Sequence, residues 1–446
     1  MNPLALLPRF RAAARAMPVL AEAETWSRGQ LQHHQLRQLN GLWAAARTHV
    51  PYYRELAATH RLPPRFDSLE HYTAVMPVLD KATVRDQAHA LLSERREPGR
   101  WRTTSGSTGT PMRFYASHRA HRAMLRCQYR FRQMWGVGLV DPTVVLMGAA
   151  GGWRGRAADR LRGRLRLAVR GVGPTELRGQ LQQMASYGPA AIYGYSRAVW
   201  LLACEALASQ VRCPSLRVVM LTSETVFDGM RQTIERAWGV PAVVEYGATE
   251  CGIIACEWPD RTLRVREDHV LVETPARPEG GCDVVLTVLT NPDFPLLRYR
   301  IEDVTDAPLQ LPDRGFAIMA RIGGRNDDWI EAADGRLIHP AEIDAVFEAA
   351  PGVRRYRVHQ HVDGRIEAMV EPSTGGVVAT PPLVTALAGC AGDWPVSVTL
   401  TPTIPQTAAG KHRLVTSDRR RSRDPMEQRQ PSTVTASSIA GMASGA

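Results

Sequence analysis

Lysine is almost missing from this chain: of its 55 lysine and arginine residues only two are lysines, Lys81 and Lys411. Solvated positive charge is written as arginine throughout, so the two compact, mobile ammonium groups that remain stand where a point charge serves chemistry. Cysteine is sparse as well. Seven cysteines, an odd number and without a Cys-x-x-Cys, exclude a disulfide framework, and a reducing cytoplasm is the expected location. No apolar run approaches the roughly 20 residues that cross a bilayer, and Arg9, Arg11 and Arg15 interrupt the apolar N-terminus, so it lacks the unbroken core of a signal peptide. No repeat of 20–50 residues occurs. The formal charge of +11 is spread along the sequence, with tight arginine clusters only at 154–170 and 419–423, which argues against a nucleic-acid face. The first of those clusters reads as solvated surface.

What is present suits a protein with more than one core: 446 residues, 44% hydrophobic and 22% charged. Residues 1–60 read as a helical lead-in, with Leu31, Leu36, Leu39, Leu42 and Trp43 on one face, ending before Pro51-Tyr52-Tyr53. A short helix capped by Asp80 comes next. Apolar runs at 143–147, 190–193, 217–222 and 242–245 alternate with helical patterns such as Arg197–Ser209 and Asp228–Trp238. That alternation predicts an α/β fold with parallel strand pairing. A β-rich stretch spans 263–320, and a small α+β unit of strands at 329–331, 354–359 and 366–370 with helices at 340–349 and 381–389 lies beyond Gly323-Gly324-Arg325. The division expected is a large N-terminal domain over 1–323, a C-terminal lid over 324–415 and a disordered tail over 416–446.

The run Thr103-Thr104-Ser105-Gly106-Ser107-Thr108-Gly109-Thr110-Pro111 offers short hydroxyls and backbone amides that can cradle phosphate oxygens. It is neither a Walker loop, because no Gly-Lys-Ser/Thr succeeds it, nor a dinucleotide fingerprint, because the glycine spacing differs. By itself such a run is a flexible loop. Its meaning comes from the order of the motifs C-terminal to it: Tyr246-Gly247-Ala248-Thr249-Glu250, then Tyr299-Arg300-Ile301-Glu302-Asp303, then Gly324-Arg325-Asn326-Asp327-Asp328, and finally Gly410-Lys411. Taken singly, Glu250 reads as a surface carboxylate, Asp303 as a turn residue and Arg325 as a solvated arginine.

In that order the motifs resemble the adenylate-forming superfamily of acyl-CoA synthetases, most closely the phenylacetate-coenzyme A ligase family, which also includes ligases of capsular polysaccharide clusters. The resemblance covers about residues 45–415, and Pro51-Tyr52-Tyr53-Arg54-Glu55 and Pro77-Val78-Leu79-Asp80-Lys81 resemble that family's N-terminal signature. It implies a large layered domain with a mobile small one, and a two-step reaction in which a carboxylate attacks the α-phosphate of ATP and a thiol, that of coenzyme A, then displaces AMP. It assigns Thr104, Ser105, Gly106, Ser107, Thr108 and Gly109 to the phosphates, Tyr246 and Gly247 to adenine, and Thr249 to the α-phosphate. Glu250 would hold Mg²⁺, Asp303 and Arg325 the ribose, and Glu224 would also belong to the nucleotide site. Lys411 would be the catalytic cation and Asp327 the hinge.

The acid pocket would be built around Tyr193, Tyr195, Trp153 and Ala248, for an acid expected to be aryl. An acceptor other than coenzyme A (an amine, a hydroxyl or a carrier-protein thiol) is the alternative, and an idle nucleotide-binding protein a third reading. The resemblance leaves the oligomeric state open, a dimer included. Two departures stand out. Ile301-Glu302 replaces the Thr-Gly that usually precedes the aspartate. Cys251, Cys256, His269 and Cys282 lack the spacing of the structural zinc site of some relatives, with Arg264 where a histidine would be sought.

Overall fold

A computed structural model of the chain describes residues 8–104, 112–147, 152–168, 174–278, 280–325, 330–338, 340–373, 376–404 and 415–419. Its centre is an eight-stranded sheet. Five of its strands are parallel, in the order Arg164–Arg166, Thr143–Leu146, Ala191–Tyr195, Val218–Thr222 and Ala242–Ala248. The chain then doubles back through antiparallel Gly252–Glu257, Leu263–Val265 and Ile318–Met319. Helices Pro174–Tyr187, Ser196–Ser209 and Asp228–Trp238 make the crossovers, the pattern that a right-twisted parallel sheet requires.

Strands Thr143–Leu146, Ala191–Tyr195 and Val218–Thr222 are buried at every position and largely apolar because both sheet faces are covered. On one face Ile192, Val219 and Leu221 meet Leu181, Val199, Leu202 and Ile234 of the crossover helices. On the other, Tyr193, Val218, Met220 and Val243 meet Phe131, from the helix His118–Met134 that Ser117 caps by accepting the Ala120 amide hydrogen bond. A buried charge cluster ties that helix to the lead-in: Glu24 accepts from Arg130 at 2.8 Å and from the fully buried Arg266 at 2.9 Å.

A second sheet, antiparallel in the order Val270–Glu273, Cys282–Val288, Tyr299–Thr305, Ile322–Arg325, packs with the lead-in helices Arg28–His49 and Pro51–Thr59 in one large core around Trp43, Tyr53, Phe66, Phe294 and Tyr299. Ser27 and Gln30 form a capping box at the start of the first of these helices. Pro51 opens the second at its first turn, where the missing N–H costs nothing. Gly99–Thr103 pairs antiparallel with Arg113–Ser117, and residues 105–111 of the Ser/Gly/Thr run between them lie outside the described residues.

The C-terminal part holds a separate four-stranded sheet in the order Val396–Leu400, Ile366–Pro372, Val353–Gln360, Val415–Ser417, with its own core against helices Pro340–Glu348 and Thr380–Ala391. Three expectations are corrected. Strand Val415–Ser417 pairs parallel to Val353–Gln360, so ordered sheet extends past the boundary expected at 416; the rest of the tail, 420–446, lies outside the described residues. Strand Val396–Leu400 is an addition to the expected elements, although its residues, Val-Ser-Val-Thr-Leu, alternate apolar and polar with the period of a strand. The arginine cluster at 154–170 is not mere surface: Arg164–Arg166 is the edge strand of the central sheet and Leu165 and Leu167 are buried.

Candidate active site

A cleft of about 890 Å³ opens along the central sheet and is lined by residues from both large sheets. Strand Ala242–Ala248 ends there, and the tight turn to Gly252–Glu257 delivers Thr249 and Glu250. The turn depends on glycine. A Cβ on Gly247 would lie 2.3 Å from the carbonyl oxygen of Gly252, where the two strands slip register, so this glycine serves the approach of a neighbouring backbone rather than of a ligand alone.

Across the cleft, Tyr299–Thr305 brings Asp303 and Tyr299 into hydrogen-bond contact with that turn. The Tyr246 hydroxyl donates to Asp303 Oδ2 at 2.8 Å, and the Tyr299 hydroxyl donates to Glu250 Oε1 at 3.1 Å. Glu250 and Asp303 are both buried, whereas Thr249 is exposed to the cleft. Burial, and then the charge of Glu250, push the Tyr299 phenol far above its ordinary range, so it stays a donor to that carboxylate. Sequence reasoning misses Tyr299; its only signal is an aromatic four residues before the aspartate.

The departure before Asp303 has a structural counterpart. Glu302 adopts a left-handed backbone, φ +71°, the conformation that glycine takes at least cost. Its carboxylate accepts from Lys81 Nζ at 2.8 Å, and Lys81 lines the cleft. Lys81 therefore does more than open the helix Lys81–Asp86, whose cap is Asp80, accepting from the Thr83 amide at 2.6 Å.

Of the other expected residues, Thr104, next to strand Gly99–Thr103, lines the cleft; its amide donates to Met112 O and its hydroxyl accepts from the Met112 amide at 3.0 Å. Ser105, Gly106, Ser107, Thr108, Gly109, Asp327 and Lys411 lie outside the described residues. Arg325 is the cross-strand partner of Asp303 in the backbone register. Glu224 lines the cleft, but its carboxylate accepts from the Arg197 amide at 2.9 Å and so caps helix Ser196–Ser209. Ala248 and Tyr193 also line the cleft.

Tyr195 and Trp153 do not belong to it. Tyr195 ends its strand and turns into the helix-side core, and Trp153, at 69% exposure, starts a surface helix. His269, between Cys251 O at 3.2 Å and the Thr290 hydroxyl at 2.7 Å, is committed to structural hydrogen bonds. Among the described residues the one group of side chains spaced to share a metal is His359, His361 and Asp418, in the C-terminal sheet.

Sequence reasoning also misses the floor of the cleft. His121, Leu125, Gln128 and Arg132, from helix His118–Met134, line it together. Their spacing of four, three and four residues puts them on one helical face, and a polar stripe facing a sheet is the signal available. Gln128 donates to the Tyr193 hydroxyl at 3.1 Å, and that hydroxyl donates to the buried Glu245 carboxylate at 2.5 Å. Burial pushes the Glu245 carboxyl above its ordinary value.

No family model matches the chain. It is 28% identical over 362 residues to a phenylacetate-coenzyme A ligase of Thermus thermophilus, covering 74% of this chain and 78% of that one. It is 21% identical over 277 residues to Protein CapK of Staphylococcus aureus, 59% of this chain and 61% of that one. Among solved structures, 2-hydroxyisobutyryl-CoA ligase in its postadenylation state superposes with a TM-score of 0.73 at 21% identity, over 90% of this chain and 92% of that one. None of the described helices is long and apolar enough to cross a membrane. In its ordered motifs, in the layered α/β architecture that brings Tyr246, Glu250 and Asp303 to one cleft, and in these likenesses, the chain is similar to the adenylate-forming, phenylacetate-coenzyme A ligase-like proteins.

Proposed function

We propose that this chain is an ATP-dependent, AMP-forming acid–thiol ligase that activates a carboxylic acid as its acyl-adenylate and passes the acyl group to coenzyme A. The observation that carries the reading is the convergence of Tyr246, Thr249, Glu250 and Asp303, from two different sheets, on a single cleft through the Tyr246–Asp303 and Tyr299–Glu250 hydrogen bonds. Asp303 accepts from the ribose hydroxyls, and Tyr246, held by Asp303, supports the adenine face. Thr249, exposed in the cleft, donates to the α-phosphate. Glu250 is a hard oxygen donor at the phosphates and suits Mg²⁺, which supplies charge neutralisation when bound. Thr104, Ser105, Ser107 and Thr108 bind the outer phosphates.

A carboxylate oxygen of the acid bonds to the α-phosphorus as pyrophosphate leaves; the thiol then bonds to the acyl carbon, loses its proton and expels AMP. Lys411 neutralises charge as carboxylate and phosphate meet. Support comes from Val415, which lines the same cleft. Val415 is four residues from Lys411 in sequence. The unit over 324–415 then acts as a lid, with Asp327 its hinge, moving Lys411 away to admit the thiol.

Aryl acids are suggested by the name of the phenylacetate-coenzyme A ligase relatives. The likeness to CapK keeps a second acceptor class in view, an amine, hydroxyl or carrier-protein thiol. Pyrophosphate release measured across a panel of carboxylic acids, with and without coenzyme A, tests the reading. Acid-dependent release with thioester formed only when coenzyme A is present is expected. Absence of release with every acid overturns it, and release with transfer to another acceptor in competition moves the assignment to the second class.

A further inference from the structure

The floor of the cleft carries two arginines that no described carboxylate contacts directly. Arg132 is 6% exposed, lines the cleft and has its guanidinium over the Tyr193 ring at 5.6 Å. Arg164, from the edge strand, lines the same floor. Among the described residues, neither guanidinium has a hydrogen bond or an ion pair to a carboxylate. Arg166, two positions on, shows the contrast: it donates to Asp159 at 3.0 Å and to the Met147 carbonyl at 2.8 Å. Burial and the proximity of Arg132 both make the charged form of Arg164 harder to hold. The nearby carboxylate, Glu245, is engaged by the Tyr193 hydroxyl, and its own burial works against its charge. Asp159 and Glu245 act on the two guanidiniums only from a distance, without a hydrogen bond or ion pair to either; a buried and a half-buried guanidinium so placed are costly unless an anion completes them, and the fork of arginine matches carboxylate and phosphate oxygens.

Register places this floor away from the reacting end. Arg164 pairs with Thr143, level with Ala191 and, through the adjoining strands, with the start of strand Ala242–Ala248. Tyr246 lies four residues further along that strand, roughly 13 Å at the rise of a β-strand. An acid whose carboxylate sits at the Ala248–Thr249 end extends its far end between helix His118–Met134 and the sheet, toward the two arginines.

Resting on the ligase reading above, we propose that the acid activated by this chain carries a second anionic group, carboxylate or phosphate-like, at the end remote from the reacting carboxylate, bound by Arg132 and Arg164. Gln128 and the Tyr193–Glu245 pair add hydrogen bonds along the way. An aryl ring with an anionic substituent satisfies both this demand and the family likeness.

Matched acids test this: phenylacetate against 4-carboxyphenylacetate, and hexanoate against adipate, each by pyrophosphate release. The wild-type kcat/KM is expected to favour the diacid of each pair by tenfold or more. Arg132→Gln and, independently, Arg164→Gln are each expected to lower that diacid-to-monoacid ratio at least tenfold, with Arg132→Lys between, since it keeps charge and loses the fork. A wild-type preference for monoacids, or a ratio unmoved in folded variants, overturns the proposal. If the variants instead raise the KM for ATP or coenzyme A with the ratio unmoved, the anion bound is a nucleotide phosphate and the proposal also fails. Thermal shift with adipate alone separates the two readings. Stabilisation of the wild type but not of Arg132→Gln supports the anion site even if no acid is adenylated, whereas adenylation of monoacids without any diacid effect keeps the ligase and discards the site.

Discussion

Replacing Gly247 by alanine asks the turn at the heart of the cleft to accept one methyl group. The new Cβ would meet Gly252 O at 2.3 Å and the carbonyl carbon of the same residue at 3.2 Å. Both obstacles are backbone, so no side-chain rotation relieves them, and the strands must part by roughly 1 Å to reach ordinary van der Waals separation. Overpacking of this kind costs about 1–3 kcal/mol of stability. The functional cost is larger, because the displaced segment carries Ala248, Thr249 and Glu250; a misplacement of about 1 Å in a positioned site costs on the order of a hundredfold in rate. Urea unfolding gives the first quantity and single-turnover pyrophosphate release the second. Gly179→Ala is the control: nothing lies within 4 Å of a Cβ there, in the middle of helix Pro174–Tyr187, so it is expected to be neutral or to stabilise by up to about 1 kcal/mol. A Gly247→Ala protein as stable and as fast as the control would refute the claim that this glycine is required by strand approach.

Asp303→Ala removes the acceptor of the Tyr246 hydroxyl and the proposed ribose partner. Hydrogen bonds to a charged group contribute about 1.5–3 kcal/mol, so ATP affinity by calorimetry is expected to fall roughly tenfold to a hundredfold; unchanged affinity contradicts the assignment. His269 supplies a pH dependence. Burial lowers its pKa below the ordinary 6.5, so the folded state favours the neutral ring. Its contribution is therefore fully present above 6.5 and is lost as pH falls through the lowered value, by at most about 1.4 kcal/mol per pH unit. Urea midpoints measured from pH 7.5 to 5 are expected to drop more steeply for the wild type than for His269→Asn, and parallel profiles would contradict this.

Sequence legibility tracks the strength of the physical constraint. The strands Val218–Thr222 and Ala242–Ala248 are readable from the apolar runs Val218–Leu221 and Ala242–Val244 that the sheet's two covered faces demand, and helix Asp228–Trp238 because its apolar spacing is regular and Gly239 ends it in a left-handed conformation. Strand Arg164–Arg166 is hidden, since two arginines serving a cleft look like two arginines serving water. Among site residues, the order of motifs points to Tyr246, Glu250 and Asp303. It cannot reveal that Glu302 takes a glycine-like conformation anchored by Lys81, a contact separated by 221 positions in sequence. Tyr195 departs from its expected place because a strand's alternation ends with the strand, and the last residue turns into the helix-side core.

The most direct test of the account separates its two half-reactions in Lys411→Ala. Adenylate formation, monitored by pyrophosphate release in a single turnover, is expected to fall by roughly 30- to 1000-fold, the effect of removing about 2–4 kcal/mol of directed electrostatic stabilisation. Thioester formation from a supplied acyl-adenylate and coenzyme A is expected to proceed at the wild-type rate. Equal loss of both steps, or loss of neither, would contradict a lid that brings this ammonium group to the cleft for the first reaction alone.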